Sequence, residues 1–411
     1  MHKMKLSFAW LPFVLLVLLT SCFGDEPLNM ECDITEVEIV LDNPGELFYN
    51  VDDRANGWGP VLEVSSVLTD ICYTVRSVDL VGERPVKFKI TENSKIEILE
   101  GDADAQYQPF QNGGLVDFSG GQTRYFRVTS EDGDWNRTYS ISFVQKHASL
   151  VPCSMNIEFA DYNLNDPQKT VNDKGVYYVW EEYDANAIQK NQWATGNPGF
   201  KLSMSSAKAP EYPTVAVADG GVDGGSCLKL ETKDTGPFGR MVNMRIAAGS
   251  FFIGTFDVKN ALKNALAATR FGLPFAHKPT KMSGYYKFKA GEKFQNKDGK
   301  EVVGRVDQPD AYCVVYRNVD AEGNAVLLDG ADVLSNPNIV GIARISGVVE
   351  TDEWTHFEIP MEYTEEIDDD LLVEYGYNMT ICFSSSIDGA YFEGAPGSTF
   401  YVDKVTLECE Y

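Results

Sequence analysis

Short runs of alternating apolar and polar residues recur along the first third of the chain. Val86–Ile90 alternates residue by residue, which is typical of a strand with one buried face. Tyr125–Thr129 and Thr138–Phe143 are two further candidate strands, and the Asp-Gly pair of Glu131–Asp134 between them favours a hairpin turn. Residues 31–148 are therefore predicted to form strands throughout.

After residue 152, apolar runs alternate with segments rich in Gly, Pro, Asn and Asp up to the end of the chain. The clearest runs are Cys227–Thr232, Gly284–Phe288, Ala311–Tyr316, Trp354–Ile359, Asn378–Ser384 and Phe400–Leu407. Several short strands at this spacing predict a β-sandwich or jelly roll. One stripe of helical period, Asp257–Thr269, predicts a short surface helix.

The length of the chain suggests more than one domain. It has 411 residues, whereas one domain usually has about 100–200, so two domains are expected. Lys146–Cys153 separates the two β-rich regions and is the candidate joint. We assign residues 31–148 to the first domain and 152–411 to the second, after a leader at 1–21 and a linker at 22–30.

The first residues have the pattern of an export signal. Met1–Lys5 carries two lysines, and Leu6–Leu19 is an apolar run too short for a comfortable transmembrane span. The following Leu19–Cys22 (Leu-Thr-Ser-Cys) resembles the bacterial lipobox, which implies that Cys22 is acylated and becomes the mature N-terminus. The alternative is an ordinary signal peptide with an incidental cysteine.

The residues that follow Cys22 indicate in which membrane an acylated chain would be anchored. Asp25 and Glu26 resemble the acidic residues that Bacteroidetes lipoproteins carry when they reach the outer-membrane surface. Acyl chains hold firmly, since each buried methylene adds about 0.8 kcal/mol. No later stretch reaches the 18 apolar residues or so of a spanning helix. We therefore expect a protein on the outside of the outer membrane, attached to it through its lipid alone.

Charge and cysteine usage narrow the classes of partner and site. With 61 acidic and 35 basic residues, the formal net charge is −26, which argues against nucleic acid as a partner because phosphates would be repelled. The cysteines form no CxxC pair, which excludes zinc-finger and redox motifs. Several lie in apolar runs such as Tyr312–Val315, where buried free thiols are expected. An oxidising exterior would permit disulfides, and their pairing stays open.

Two parts of the chain resemble known modules. Asp117–Phe143 is similar to the end of the immunoglobulin-like modules of secreted Bacteroidetes proteins, which usually act as spacers. The second domain carries further motifs in order: Trp193–Pro198, Ala248–Phe256, Arg270–Phe275, Ser283–Phe288, Ser384–Ser386, Gly394–Thr399 and Val402–Val405. Together these motifs resemble the putative carbohydrate metabolism domain of Bacteroidetes lipoproteins.

The second resemblance implies a jelly roll akin to carbohydrate-binding modules and to some glycoside hydrolases. We therefore expect an all-β protein, with an immunoglobulin-like β-sandwich followed by a larger jelly-roll β-sandwich. The family brings no established catalytic residues, so none is transferred to this chain. Members often have Gln where Leu273 stands here, so any polar contact at that position would be absent.

Aromatic and arginine side chains are the candidate contacts for a polysaccharide or oligosaccharide. Aromatic rings cover the C–H faces of sugars, and an arginine fork pairs with hydroxyls or uronates. The candidates are Trp180, Trp193, Phe238, Arg240, Tyr285 and Tyr286. Two alternatives stay open, namely that the rings are core anchors and that the arginine pairs with a carboxylate. Tyr285 and Tyr286 are adjacent on a candidate strand, so they should face opposite sides.

Glycoside hydrolysis would require two carboxylates on either side of the glycosidic bond. Glu231 and Asp307 are our candidate catalytic pair, and the other acids in strand or turn settings are Glu181, Asp310, Glu358 and Asp388. With 61 acids in the chain, close pairs arise by chance, and no spacing selects one.

A structural calcium ion is the one cofactor that the sequence raises. Carbohydrate-binding jelly rolls often place a calcium ligand in the last strand, where Asp403 stands, and Asp161 could be its partner. Calcium needs six to eight oxygen ligands, and no EF-hand loop is present. Three functions therefore remain open: a surface glycan-binding lipoprotein, a glycoside hydrolase that uses an Asp/Glu pair, and a structural surface protein without a glycan ligand.

Overall fold

The computed structural model describes residues 28–99, 106–183 and 189–411, and these are almost entirely β-structure with three short α-helices. The all-β prediction is confirmed. The predicted lipidation site Cys22 lies outside the described residues. Within them, no helix is long and apolar enough to cross a membrane.

The first part of the chain forms two sheets around one core. Its strands are β1 (Ile34–Ile39), β2 (Val61–Glu63), β3 (Asp70–Val75), β4 (Glu83–Ile90), β5 (Lys95–Leu99), β6 (Tyr107–Pro109), β7 (Leu115–Asp117), β8 (Arg124–Thr129) and β9 (Asn136–Gln145). One sheet has the order β2-β1-β4-β7 and the other β3-β9-β8-β5-β6. Only the β3–β9 pairing is parallel among those described here.

Alternation explains which side of these strands is buried. In β4, Val86 and Phe88 point into the core, whereas Lys87 and Lys89 lie on the outer side. Strands β8 and β9 form the predicted hairpin, and Gly133 in the connecting turn has φ 81°, a conformation that favours glycine.

The second part of the chain is larger. Its strands are β10 (Cys153–Ile157), β11 (Tyr162–Leu164), β12 (Tyr178–Tyr183), β13 (Gln189–Thr195), β14 (Thr214–Val217), β15 (Cys227–Glu231), β16 (Lys233–Asp234), β17 (Ile246–Ala247), β18 (Ser250–Phe256), β19 (Thr269–Phe271), β20 (Leu273–Pro274), β21 (Pro279–Lys289), β22 (Asp310–Arg317), β23 (Leu328–Asp329), β24 (Ile339–Arg344), β25 (Thr351–Pro360), β26 (Glu362–Tyr363), β27 (Tyr377–Ser384) and β28 (Thr399–Cys409). The helices are α1 (Asn197–Ser203), α2 (Gly236–Met241) and α3 (Asp369–Val373).

Two large sheets share the main core of this second part. The smaller sheet has the order β14-β15-β28-β21-β25, with β10 also paired to β28. The larger sheet follows the order β11-β12-β13-β18-β27-β22-β24-β26. Strands β22 and β27 are buried on both faces, because one face meets the main core and the other lies beneath surrounding loops.

The predicted helix at Asp257–Thr269 is wrong. The segment consists of turns with a single 3₁₀ turn at Leu266–Ala268. The carboxylate of Asp257 accepts bonds from the Lys259 backbone and the Asn260 side chain, and such local bonds compete with helix formation.

The two parts of the chain contact each other directly. The ring of Trp58 packs on the ring of Tyr375 with centroids 5.1 Å apart. The carboxylate of Asp52 forms an ion pair with Arg270 of β19 at 3.1 Å. The predicted domain boundary near residue 150 lies between β9 and β10 and stays a prediction.

Candidate functional site

A groove of about 360 Å³ lies on the outer face of the larger sheet. Phe252 of β18, Tyr312 of β22 and Cys382 of β27 form its floor, and strand pairing places both rings beside the cysteine. Their neighbours in sequence point into the main core, because successive side chains of a strand face opposite sides. The register of the three strands therefore brings these side chains together on the outer face of the sheet.

Loops wall this groove on both sides. One wall is formed by β19 and the segment Gly330–Ser335, and the other by Ile387–Tyr391. A Cβ atom on Gly389 would come within 2.4 Å of the Ala248 Cβ atom, so glycine is needed for this loop to approach the sheet. The ring of Tyr391 stands at the rim with 52% of its surface exposed.

An ion pair lies at the edge of the groove: Asp310, at the start of β22, lines the groove, and Arg344 lines a neighbouring cavity. The Nε and Nη2 groups of Arg344 donate to Oδ1 and Oδ2 of Asp310 at 3.0 and 2.7 Å. Asp310 is 3% exposed, whereas the Arg344 side chain keeps 36% of its surface. Burial raises the pKa of Asp310 even though Arg344 lowers it, and the negative charge of Asp388 raises this pKa further.

A second charged group stands beside this pair. The guanidinium of Arg305 forms ion pairs with Asp388 and, at 3.8 Å, with Glu393. The same guanidinium lies 4.0 Å above the centre of the Phe294 ring, an arrangement that favours a cation. Two arginines and three carboxylates thus lie near one another at this end of the groove.

The groove combines groups that suit a polyhydroxylated ligand. Tyr391 offers an exposed aromatic face at the rim, on which a ring with C–H surfaces can stack. The carboxylate of Asp310 lines the groove and can accept from a hydroxyl, while Arg344, which lines a neighbouring cavity, holds that carboxylate in place. The floor is apolar, so few polar groups would fix the orientation of the ligand.

An apolar cavity of about 160 Å³ adjoins the groove. The two share Ala248, Thr269, Gly330, Gly389 and Ala390 in their linings. The cavity lies among α1, α2 and the turn segment that was predicted to be helical.

Two of the predicted sugar contacts lie on or near α2. The ring of Phe238 lines the apolar cavity rather than the groove. Arg240 is exposed and pairs with Asp234 at 2.9 Å. This is the alternative given above, in which the arginine pairs with a carboxylate.

The structure corrects the prediction for Trp180 and places Trp193 against the core. Trp180 is 4% exposed, and its indole Nε1 donates to the backbone oxygen of Phe159 at 3.3 Å, so it has no free face for a sugar. Trp193 is half-buried, and its ring stacks on that of Phe251 with centroids 4.6 Å apart. Both rings anchor the inner face of their strands.

Tyr285 and Tyr286 face opposite sides of β21, as the sequence predicts. Tyr286 is 5% exposed and belongs to the main core, which contradicts its assignment as a sugar contact on an open face. Tyr285 lies on the outer side beside His356, with ring centroids 5.1 Å apart. Among the described residues that line the groove, none of the six predicted sugar contacts occurs.

The predicted catalytic pair is corrected at Asp307. This residue is completely buried, and its Oδ2 atom accepts bonds from the Ser386 hydroxyl, the Ser398 hydroxyl and the Ala395 backbone at 2.6 to 2.7 Å. Burial raises the pKa of Asp307 although these bonds oppose the rise. A carboxylate saturated in this way cross-links loops and cannot reach a substrate.

The other member of that predicted pair, Glu231, lies outside the groove. Its carboxylate forms ion pairs with Lys229 at 2.8 Å and Lys233 at 3.1 Å. Burial acts to raise the pKa of Glu231, but the two lysines hold it below its usual value. The two lysines therefore favour the ionised form of this carboxylate.

The two predicted calcium ligands are not brought together as a cage. Asp161 is exposed, whereas Asp403 is buried and accepts bonds from the backbone N–H groups of Val222 and Lys404. The ammonium of Lys404 lies 3.2 Å from Asp223 and near Glu158. In the described ranges, no three His, Cys, Asp or Glu side chains are grouped to hold a metal ion.

The sequence reasoning missed the groove residues Tyr312 and Tyr391, and it missed Arg344, the partner of the groove residue Asp310. Asp310 and Asp388 were among the candidate acids, but nothing in the sequence set them above the others. Tyr391 stands in a turn segment between the family-like motifs Ser384–Ser386 and Gly394–Thr399, and those motifs were the available signal for it. For Arg344 the pairing with Asp310 appears only when β22 and β24 are joined.

Comparison with known proteins agrees with this fold. Residues 162–408 match the family model described as a putative carbohydrate metabolism domain. A crystal structure of a putative glycoside hydrolase from Bacteroides thetaiotaomicron VPI-5482 is 32% identical, with a TM-score of 0.60, over 94% of this chain and 99% of that chain. A putative glycoside hydrolase from Bacteroides vulgatus ATCC 8482 is 36% identical, with a TM-score of 0.55, over 62% and 98%.

A search of curated proteins found no significant match. The family model alone covers more than half of the chain, and the Bacteroides thetaiotaomicron relative extends the similarity to nearly all of it. The chain therefore belongs to the putative carbohydrate metabolism domain family.

Proposed function

We propose that this protein binds a polysaccharide or oligosaccharide in the groove of its second part. In this proposal an acyl chain on Cys22 holds the protein at the outer face of the outer membrane. The family description and the names of the two relatives support a role in carbohydrate metabolism. The observation that carries the proposal is the exposed ring of Tyr391 at the rim of a groove that is also lined by the carboxylate of Asp310.

The groove suits a sugar for two physical reasons. The C–H face of a pyranose ring stacks on an aromatic ring, which gives contact area at little cost in side-chain entropy. The carboxylate of Asp310 lines the groove and is already held by Arg344, so it is oriented before the ligand arrives. A sugar hydroxyl is the matching donor.

Binding can be tested with the mature chain on a panel of plant, host and microbial glycans, followed by calorimetry on any glycan that binds. We expect Tyr391→Ala to weaken binding about tenfold, as the loss of one stacking contact predicts. Tyr125→Ala is the matched control, because Tyr125 is a similarly exposed tyrosine on β8 of the first part. Absence of binding to every glycan, or unchanged affinity of Tyr391→Ala, would refute the groove assignment and favour a structural surface protein.

The lipid anchor has a separate test. Cells that express the full chain are labelled with a radioactive or clickable fatty acid, and we expect the label on the wild-type protein but not on Cys22→Ser. Protease added to intact cells should degrade the anchored protein if it faces the exterior. Label on Cys22→Ser, or protection of the wild-type protein in intact cells, would contradict this part of the proposal.

A glycoside hydrolase in the same groove is the second candidate function. The observation in its favour is that burial and the neighbouring Asp388 charge raise the pKa of Asp310, as expected for a carboxyl group that donates a proton. Release of reducing ends from a bound glycan would support hydrolysis, and Asp388→Asn should then abolish release while binding remains. Binding without release leaves the protein as a glycan-binding module.

A further inference from the structure

Two cysteines stand opposite each other where the second part of the chain begins and ends. Cys153 in β10 is in direct register with Cys409 in β28, and the strands are antiparallel. The following pairs, Met155 with Leu407 and Ile157 with Val405, point to the same inner face. The two cysteine side chains therefore project toward the same side of the sheet.

The separation of such a pair suits a disulfide bond. Directly opposed residues of antiparallel strands have Cα atoms about 4.5–5.5 Å apart. Disulfides span Cα separations of about 4.4–6.8 Å. Because Cys153 and Cys409 are direct register partners, closure requires little movement of the backbone.

We propose that Cys153 and Cys409 form a disulfide when the protein meets a disulfide oxidant, either a small molecule or an exchange protein. The sulfur of Cys153, the less buried of the two, attacks the oxidant and releases one of its thiols. The sulfur of Cys409 then gives its proton to solvent and displaces the second thiol from Cys153. Two electrons and two protons pass to the oxidant, which becomes two thiols.

The bond would join the first and the last strand of the second part of the chain. Strand β10 follows the connecting segment, in which the Ala148 backbone donates to the Val373 oxygen, and β28 is the last strand. A link between Cys153 and Cys409 encloses nearly the whole jelly roll and restricts its unfolded state. That the protein meets an oxidant in the cell rests on the export part of the proposed function. The ability of Cys153 and Cys409 to form the bond does not depend on it.

A third cysteine, Cys313, is near enough to be considered as an alternative partner of Cys409. It is completely buried in β22, and it is one of the groups that raise the pKa of Cys409. Burial raises the pKa of Cys313 and of Cys409, so neither is expected to attack an oxidant first. The partly exposed Cys153 has access to solvent that Cys313 lacks.

The test uses the reduced mature chain and oxidised glutathione as the probe. After exposure, free thiols are blocked with N-ethylmaleimide in denaturant, and the digest is mapped by mass spectrometry. We expect a peptide that links Cys153 to Cys409, with the loss of two hydrogen atoms, in the wild-type protein and in Cys313→Ser. Cys153→Ser should give no such peptide.

The same samples show whether the link stabilises the domain. The oxidised wild-type protein should unfold at a higher urea concentration than the reduced one, and Cys153→Ser should show no shift between the two conditions. Full alkylation of both cysteines after oxidation, or a peptide that links Cys313 to Cys409, would overturn the proposal. Glycan binding is measured on the reduced and oxidised samples, so a failure of the disulfide is distinguished from a failure of the groove.

Discussion

Removal of the Arg344 charge should destabilise the fold through the carboxylate that it leaves behind. Arg344→Met keeps an apolar stem but leaves Asp310, which is 3% exposed, without its two short bonds. Breaking one side of a buried pair typically costs about 3–5 kcal/mol. The Arg344 side chain is 36% exposed, so solvent screening places the expected loss at or just below the lower limit of that range, about 2–3 kcal/mol.

The pH dependence of the stability follows from the direction in which the pKa of Asp310 is shifted. Burial already raises the pKa of Asp310 above its ordinary value of 3.8, and loss of Arg344 raises it further. Between the unfolded and folded pKa values the native state binds more protons than the unfolded state, so stability falls as pH rises. The loss in free energy of unfolding caused by Arg344→Met should therefore reach its full value at pH values above the raised pKa of Asp310 in the folded state. It should shrink as the pH approaches 3.8.

Urea denaturation at several pH values measures this, with Asp310→Asn and the double variant completing a double-mutant cycle. The double variant should recover most of the loss at neutral pH, because a neutral side chain replaces the unpaired charge. Arg240→Met is the matched control, since Arg240 belongs to an exposed pair and should cost less than about 1 kcal/mol. A deficit that is independent of pH, or no recovery in the double variant, would refute the reasoning.

Three further results are expected. Asp307→Asn should lose about 1–3 kcal/mol in urea denaturation, because the amide nitrogen meets a donor either way, three at the Oδ2 position or the Gln308 N–H at the Oδ1 position, and an unchanged midpoint would contradict the cross-link. Trp180→Ala should cost about 3–5 kcal/mol, whereas Trp135→Ala, at a position 58% exposed, should change the midpoint little, and equal effects would contradict the core assignment. Calcium in excess, or a chelator, should leave the Tm unchanged, because the ammonium of Lys404 lies beside the acids near Asp403, and a calcium-dependent rise in Tm would restore the metal site.

The β-rich character of the chain and many of its strands could be predicted because they depend on local pattern. Alternation in Val86–Ile90 and the Asp-Gly turn before β9 act over a few residues, and the structure confirms both. The helix predicted at Asp257–Thr269 failed for the same reason, since a stripe of alanine and leucine says nothing of the polar bonds that Asp257 makes with its neighbours.

The sequence by itself therefore determined the all-β class, the opposed orientation of Tyr285 and Tyr286, and the family likeness. Only the tertiary structure decided which aromatic rings and acids are accessible. Asp310 and Asp388 are far apart in sequence, and the groove brings them near each other only after β22 pairs with β24 and the loop at Ile387–Tyr391 folds over the sheet. Periodicity assigns a side chain to a face of its strand, but exposure depends on what long-range packing places over that face.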